Sequence, residues 1–297
     1  MNLTQSLTQS LTPSQAHALE VLQSGDNVFL TGGAGCGKSF VLKQMVKSLD
    51  FKTMPLLAST GAAAVLIGGR TFHSFFGIGI IEGGFAATFD RAMADKRLLK
   101  RLKKVEGVII DEVSMLSGEV LELCETISRH ARKSDLPWGG MRVVIVGDFA
   151  QLPPVKGSFC FENPVWERSN FQVCHLQQNI RVQDNEYLSI LNKVRIGLVD
   201  CEVTDFLNSR VNLEIDNETT RLFPRREQVS DFNRQKLDAL SGGEIRIPSI
   251  YYGSDQFVEG LKKSAPVPEE LILKIGCLVM IVQNDPGFLY VNGSKGL

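Results

Sequence analysis

The chain is poor in the features that would commit it to a narrow class. Its six cysteines, at 36, 124, 160, 174, 201 and 277, are scattered with no C-x-x-C pair. Neither a disulfide framework nor a zinc site is expected, and reduced thiols in an intracellular protein fit better. No apolar run approaches the ~20 residues of a membrane span. The opening MNLTQSLTQSLTPSQ has neither the basic nor the apolar stretch of a signal peptide, so no membrane partner is expected. The doubled TQSL is too short to be a structural repeat. Net charge is scarce as well: 32 Lys and Arg against 33 Asp and Glu leave −1. That balance neither favours nor excludes nucleic acid, because local patches decide. What remains is an ordinary globular composition, with 297 residues, 43% of them hydrophobic and 22% charged. At ~150 residues per domain the length suggests two domains.

Short apolar runs at 27–30 (NVFL), 54–60 (MPLLAST), 107–111 (GVIID) and 142–148 (RVVIVGD) read as buried parallel strands. Helical-looking segments at 38–49 and 115–132 separate them, and this alternation predicts an α/β domain with a parallel sheet. Residues 161–181 are expected to lead out of this unit, and 187–199 to form a helix of a smaller domain. Gly, Pro and charge between 241 and 270 suggest loops and short strands, and 271–285 reads as β-rich.

The segment VFLTGGAGCGKS fits G-x-x-x-x-G-K-[ST], running from Gly32 through Gly33, Ala34, Gly35 and Cys36 to Gly37, Lys38 and Ser39. A strand precedes it and a helix follows, as a phosphate-binding loop requires. Glycines let successive N–H groups turn toward phosphates, and the helix N-terminus adds positive potential. Lys38 is placed to reach the β and γ phosphates of ATP, and Ser39 to hold Mg²⁺. The strand 107–111 ends in Asp111-Glu112. Asp111 is expected to hold Mg²⁺ through its water shell and Glu112 to polarise the attacking water.

A third strand stops at VVIVGDFAQLPPV, residues 143–155. Ligands of such sheets bind at the carboxyl ends of the strands, so Gln151 is expected near the γ-phosphate. A neutral amide there bonds phosphate while it is present and is freed on its release, as a sensor must be. Pro153-Pro154 stop the strand and stiffen the loop.

Taken in order, LTPSQ, TGGAGCGKS, STGAAAVLIGGRTFHSFFGIG, IIDEVSM, VGDFAQLPPV and NKVRIG closely resemble the PIF family of DNA helicases. These are RecD-like, superfamily-one motors that move 5′ to 3′ on single-stranded DNA. The match runs through about residue 200 and, more weakly, to 297. It implies a RecA-like P-loop motor domain over 1–183. Residues 184–297 would be part of a second motor domain leading into a small inserted β domain. ATP and Mg²⁺ would be the cofactors, single-stranded DNA and DNA junctions the partners, and a monomer the working form. DNA repair, recombination and telomere maintenance would be its settings.

Residue by residue, the resemblance makes Gln15 the reader of the adenine edge. Thr60 and Gly61, with Thr71, Phe72, His73 and Ser74, match segments that grip single-stranded DNA. Arg181 falls where the family has a phosphate-contacting arginine, within NIRVQD rather than F-R-Q. Two features stay open. His73 with Phe72, Phe75 and Phe76 is either packed core or a base-stacking surface. The basic run KRLLKRLKK at 96–104 is either a solvated helix face or a phosphate contact. Nothing resembles the family's later motifs, S-I-H-K-S-Q-G and A-L-S-R, so the sequence is expected to hold one full motor domain and part of the second. It would then be a piece of a longer chain or a short relative. A nucleotide-dependent DNA-binding module without unwinding activity is the alternative function.

Overall fold

The computed structural model describes residues 11–47, 50, 52–79, 81, 83–211, 219–255, 258–259, 262, 268–282 and 294–297, without the side chains of 62, 65 and 66. It forms two compact units, Met1–Val211 and Asn212–Leu297. Most of the doubled TQSL, the end of the 271–285 segment and most of the closing LYVNGSKGL lie outside the described residues.

The first unit opens with α1 (Pro13–Gln23), started by a capping box in which Thr12 and Gln15 satisfy each other's backbone N–H. β1 (Val28–Gly32) and α2 (Lys38–Val46) follow, then β2 (Leu56–Ala58), α3 (Gly61–Leu66), β3 (Arg70–Thr71) and α4 (Phe72–Phe76). Next come α5 (Gly84–Ala94), α6 (Lys96–Lys104), β4 (Gly107–Asp111), a 3₁₀ turn at Val113–Met115 and α7 (Gly118–Arg132). β5 (Arg142–Gly147), α8 (Pro164–Arg168), β6 (Gln172–Leu176), α9 (Asn185–Arg195) and α10 (Cys201–Asn208) complete it.

Six strands form one sheet in the order β3-β2-β4-β5-β1-β6, and every pairing is parallel. Side chains alternate across it with the period of two that a strand dictates. Phe29, Leu57, Val108, Ile110, Val143 and Ile145 face one layer, with α4, α6, α7 and α8. Val28, Leu30, Leu56, Ile109, Val144 and Val146 face the other, with α1 and α2. Both faces are covered, which is why the central strands read as unbroken apolar runs. Each fully buried aliphatic side chain contributes roughly 1.5–3 kcal/mol. The architecture is the expected α/β P-loop sheet flanked by helices.

Two strands were hidden in the sequence. β6 lies in the segment expected to lead out of the unit, yet it pairs with β1 along the sheet edge. Its QVCHL buries only Cys174 and Leu176, so an edge position left no apolar run to find. β3 is only two residues long. All six cysteines are free. Among the described residues no helix is long and apolar enough to cross a membrane.

The second unit carries α11 (Arg226–Asp238) and two antiparallel strand pairs. These are β7 (Ile245–Pro248) with β8 (Glu270–Leu273), and β9 (Val279–Met280) with β10 (Lys295–Gly296).

Candidate functional site

In a parallel sheet all strands end on one side, and here those ends carry the chemistry. The loop after β1 turns into α2 with Gly37 at φ +84°, a left-handed conformation that costs glycine little. A Cβ at Gly37 would lie 2.5 Å from Gln15 Nε2, so glycine also makes room for that amide. Gln15 is buried. Its Oε1 accepts from the Thr12 N–H at 3.1 Å, and its Nε2 donates to the Cys36 carbonyl at 3.2 Å. Lys38 Nζ donates to the Gly32 and Gly33 carbonyls at 2.8 and 3.1 Å, which arches it over the loop. Ser39 is exposed on the first turn of α2. Burial pushes the Cys36 thiol up, against the opposing pull of Lys38, so the thiol stays protonated and unreactive at neutral pH.

From the far side, the segment after β6 clamps this loop. Asn179 Nδ2 donates to the Ala34 carbonyl at 2.7 Å, and the Ile180 N–H donates to the Gly35 carbonyl at 2.9 Å. Asn179 Oδ1 also accepts from the Arg181 and Val182 N–H groups. Arg181 is therefore held against the loop, its Cβ 2.9 Å from where a Gly35 Cβ would stand, with its side chain exposed.

At the end of β4, Asp111 is 7% exposed and Oδ1 accepts from the Glu112 N–H at 2.9 Å. Glu112 has φ 55°, a left-handed conformation in a residue with a Cβ, which costs on the order of 1 kcal/mol or more. Burial, with the Glu112 charge adding to it, raises the Asp111 carboxyl above its usual range, although the Glu112 N–H and Lys38 oppose this. A group whose folded pKa is raised lends stability in its protonated state and loses it as pH rises through that pKa. Asp111→Asn is therefore expected to melt higher than wild type at neutral pH in metal-free buffer. The gain should be on the order of 1 kcal/mol, or about 2–4 °C, and should shrink in acid. A lower melting temperature at neutral pH would show that the carboxylate is not the strained partner.

β5 ends at Gly147 because the 3₁₀ turn after β4 packs there: a Cβ at Gly147 would lie 2.9 Å from Val113 Cγ1. Asp148 follows, 1% exposed, and gathers three donors. Oδ1 accepts from the Ala150 N–H at 3.1 Å; Oδ2 accepts from Gln151 Nε2 at 3.4 Å and from Arg195 Nη1 of α9 in a close ion pair. Burial pushes this carboxyl up, but the Arg195 hydrogen bond, the Ala150 N–H and the charges of Arg195 and Lys38 outweigh it and hold it below the usual range. Gln151 itself is exposed beside the loop Leu152–Val155.

The sites expected to grip DNA lie at the ends of β2 and β3. Thr60 Oγ1 accepts from the Ala63 N–H, and exposed Gly61 begins α3. Thr71 caps α4, its side chain accepting from the Ser74 N–H. His73 is half-buried, and burial lowers its pKa, so it is neutral at physiological pH. Phe72 is a correction: it is fully buried, with its ring 4.8 Å from that of Phe76, and has no face to offer a base. Phe75 and Phe76 are core as well. The aromatic run is apolar filling beneath the sheet ends, leaving Thr71, His73 and Ser74 at the surface side of α4.

Three residues at the site escaped sequence reading: Asn179, Asp148 and Arg195. Each stands inside a recognisable motif, but its partner lies elsewhere in the chain, at separations of 145 residues for Asn179 and 47 for Asp148 with Arg195.

A profile of the PIF1-like helicase family matches residues 10–202. The ATP-dependent DNA helicase Pif1 of Bdellovibrio bacteriovorus is 57% identical over 291 residues, covering 96% of this chain and 66% of its own length. The crystal structure of the Pif1 helicase from Candida albicans superposes with a TM-score of 0.84 at 32% identity, covering 96% of this chain and 68% of that one. The Pif1 helicase from Bacteroides in complex with ADP-AlF3 and ssDNA gives a TM-score of 0.70 at 28% identity, covering 97% of this chain and 69% of that one. The chain thus spans about two thirds of the length of these relatives. It belongs to the PIF1-like helicase family.

Proposed function

We propose that the chain is the ATP-binding part of a DNA helicase that couples ATP hydrolysis to movement along single-stranded DNA, 5′ to 3′ by resemblance. One observation carries this reading: the phosphate loop, the Asp111-Glu112 pair and the Asp148–Gln151–Arg195 cluster sit at the ends of β1, β4 and β5, three neighbouring strands of one sheet. Lys38 is felt electrostatically at both Asp111 and Asp148. The segments proposed to hold DNA end β2 and β3 on the same edge.

In this reading the loop Gly32, Gly33, Ala34, Gly35, Cys36 and Gly37 turns its N–H groups to the phosphates, and Lys38 moves from its carbonyls to phosphate oxygen. Gln15 keeps one donor and one acceptor valence beyond its Thr12 and Cys36 bonds, a pair that suits the adenine edge. Among the described residues no three His, Cys, Asp or Glu side chains form a metal cage. Mg²⁺ needs none, because it is held by one or two protein oxygens together with phosphates and water. Ser39 and Asp111 supply those oxygens, and the buried, raised Asp111 carboxyl is a group that gains from a cation. When bound, Mg²⁺ supplies charge neutralisation at the phosphates. Glu112 orients and deprotonates the attacking water, and Gln151 and Arg181 contact the γ-phosphate.

Residues 1–183 act as the first motor domain; α9 and α10, expected to lie beyond it, fold in the same compact unit, which ends at Val211, and residues 212–297 lead toward a second motor domain and a β insert. Thr60, Gly61, Thr71, His73 and Ser74 hold the DNA backbone, with Phe72 supporting them from the core. The working form is a monomer, inside the cell where DNA is.

Strand displacement on a forked duplex, measured beside DNA binding, tests the reading. ATP-dependent displacement by the chain is expected. Binding without displacement would favour a nucleotide-dependent DNA-binding module instead.

A further inference from the structure

Among the described residues, α6 and β3 bring together a cluster of cations that form no ion pair and have only the Asp95 carboxylate acting on them. Arg70, at the end of the sheet on β3, and Arg101, from α6, lie over the same ring: their guanidinium carbons are 5.7 and 5.2 Å from the centroid of Phe75. Both are tethered to α4 by oxygens that carry no charge. Arg70 donates to the Ser74 carbonyl at 2.8 Å and to Ser74 Oγ at 2.7 Å, and Arg101 donates to the Phe75 carbonyl. Arg101 Nε is buried and finds no acceptor among the described residues.

Cation–π contact and carbonyl bonds position two like charges but do not neutralise them. Burial lowers the Arg101 pKa and the nearby Arg70 charge lowers it further, while the Asp95 carboxylate opposes them without restoring it. The rest of α6 deepens the imbalance. Lys96, Arg97, Lys100, Lys103 and Lys104 belong to the same helix, and no cation of this helix forms an ion pair among the described residues. Arg97 and Lys104 stand four residues before and three after Arg101, so they flank it on one helix face. Asp95, the helix cap, accepts from the Arg97 and Leu98 N–H groups and sets a single negative charge against Arg97 and Arg101.

We propose that Arg70 and Arg101, flanked by Arg97 and Lys104, form a phosphodiester-binding site that extends the grip at Thr71–Ser74 onto α6. The site rests on the DNA reading above and adds to it a surface on α6 that no motif names. Arg70 shares Ser74 with that grip, so a strand lying against α4 has its next phosphate within the field of both guanidiniums. A phosphodiester supplies the missing negative charge and accepts from the donors left free on Arg70 and Arg101.

The test is fluorescence anisotropy of a labelled oligo-dT single strand titrated with the full chain, from about 50 to 200 mM salt. Arg70→Gln, the double variant Arg97→Gln/Lys104→Gln and, for comparison, Lys43→Gln on α2 would be measured beside wild type, with melting temperature reporting on the fold. Arg70→Gln and the double variant are expected to bind several-fold more weakly on every sequence. The plot of log affinity against log salt should flatten by about 0.7 for each phosphate the variant no longer neutralises, while Lys43→Gln keeps the wild-type slope. Unchanged slopes in folded variants, or flattening equal to that of Lys43→Gln, would overturn the site and leave the α4 grip standing. No binding by wild type would overturn the DNA reading and this site with it.

Discussion

Replacing Glu112 by glutamine is expected to lower kcat for ATP hydrolysis by about 10²–10⁴-fold while nucleotide still binds. Glutamine keeps the size and the hydrogen-bonding ability of the side chain but cannot take a proton from water. The backbone at Glu112 is held in a left-handed conformation by its place after β4, and its N–H caps Asp111. Those constraints belong to the main chain and survive the substitution. Stopped hydrolysis with intact nucleotide affinity, read by a fluorescent ATP analogue, would therefore place Glu112 at the chemical step. Comparable loss of binding and turnover would instead mean that the carboxylate shapes the site, and near-wild-type turnover would move the base elsewhere.

Lys38→Ala carries the second large effect. Removing a charge that stabilises the transferring phosphoryl group costs about 10²–10³-fold in rate in related sites. Here the damage reaches further than the charge. Lys38 Nζ also bonds the Gly32 and Gly33 carbonyls, so alanine leaves two loop oxygens without that donor. Both kcat and nucleotide affinity should fall. Lys38→Arg should rescue neither, because a planar guanidinium fork cannot replace a compact ammonium between two carbonyls. Turnover within a few-fold of wild type in either variant would contradict the assigned role.

How far these roles could be read in advance follows from where each residue's partners lie. The phosphate loop and the acidic pair are local: strand, turn and helix follow each other within a short span, and the apolar runs of β1, β4 and β5 mark strands buried on both faces. β6 was not legible because an edge strand mixes exposed and buried residues and looks like a loop. Asn179 and Arg195 were not legible for a different reason. Their motifs were visible, but the first reaches back to Ala34 and the second to Asp148, and no local pattern encodes such a pairing. Phe72 went the other way: aromatics beside a histidine suit both a core and a base platform, and only burial decides between them. In the basic run at 96–104, the packing of Arg101 onto Phe75 was not legible either, because no spacing within the run points to that ring.

The proposed function rests on one coupling, between the phosphate loop and the ends of β2 and β3 proposed to hold DNA on the same sheet. The most direct test is the steady-state ATPase rate of the full chain with and without a single-stranded oligonucleotide. Hydrolysis that rises strongly with DNA, and disappears in Lys38→Ala, is the predicted result. Hydrolysis at the same rate whether or not DNA is present would contradict it.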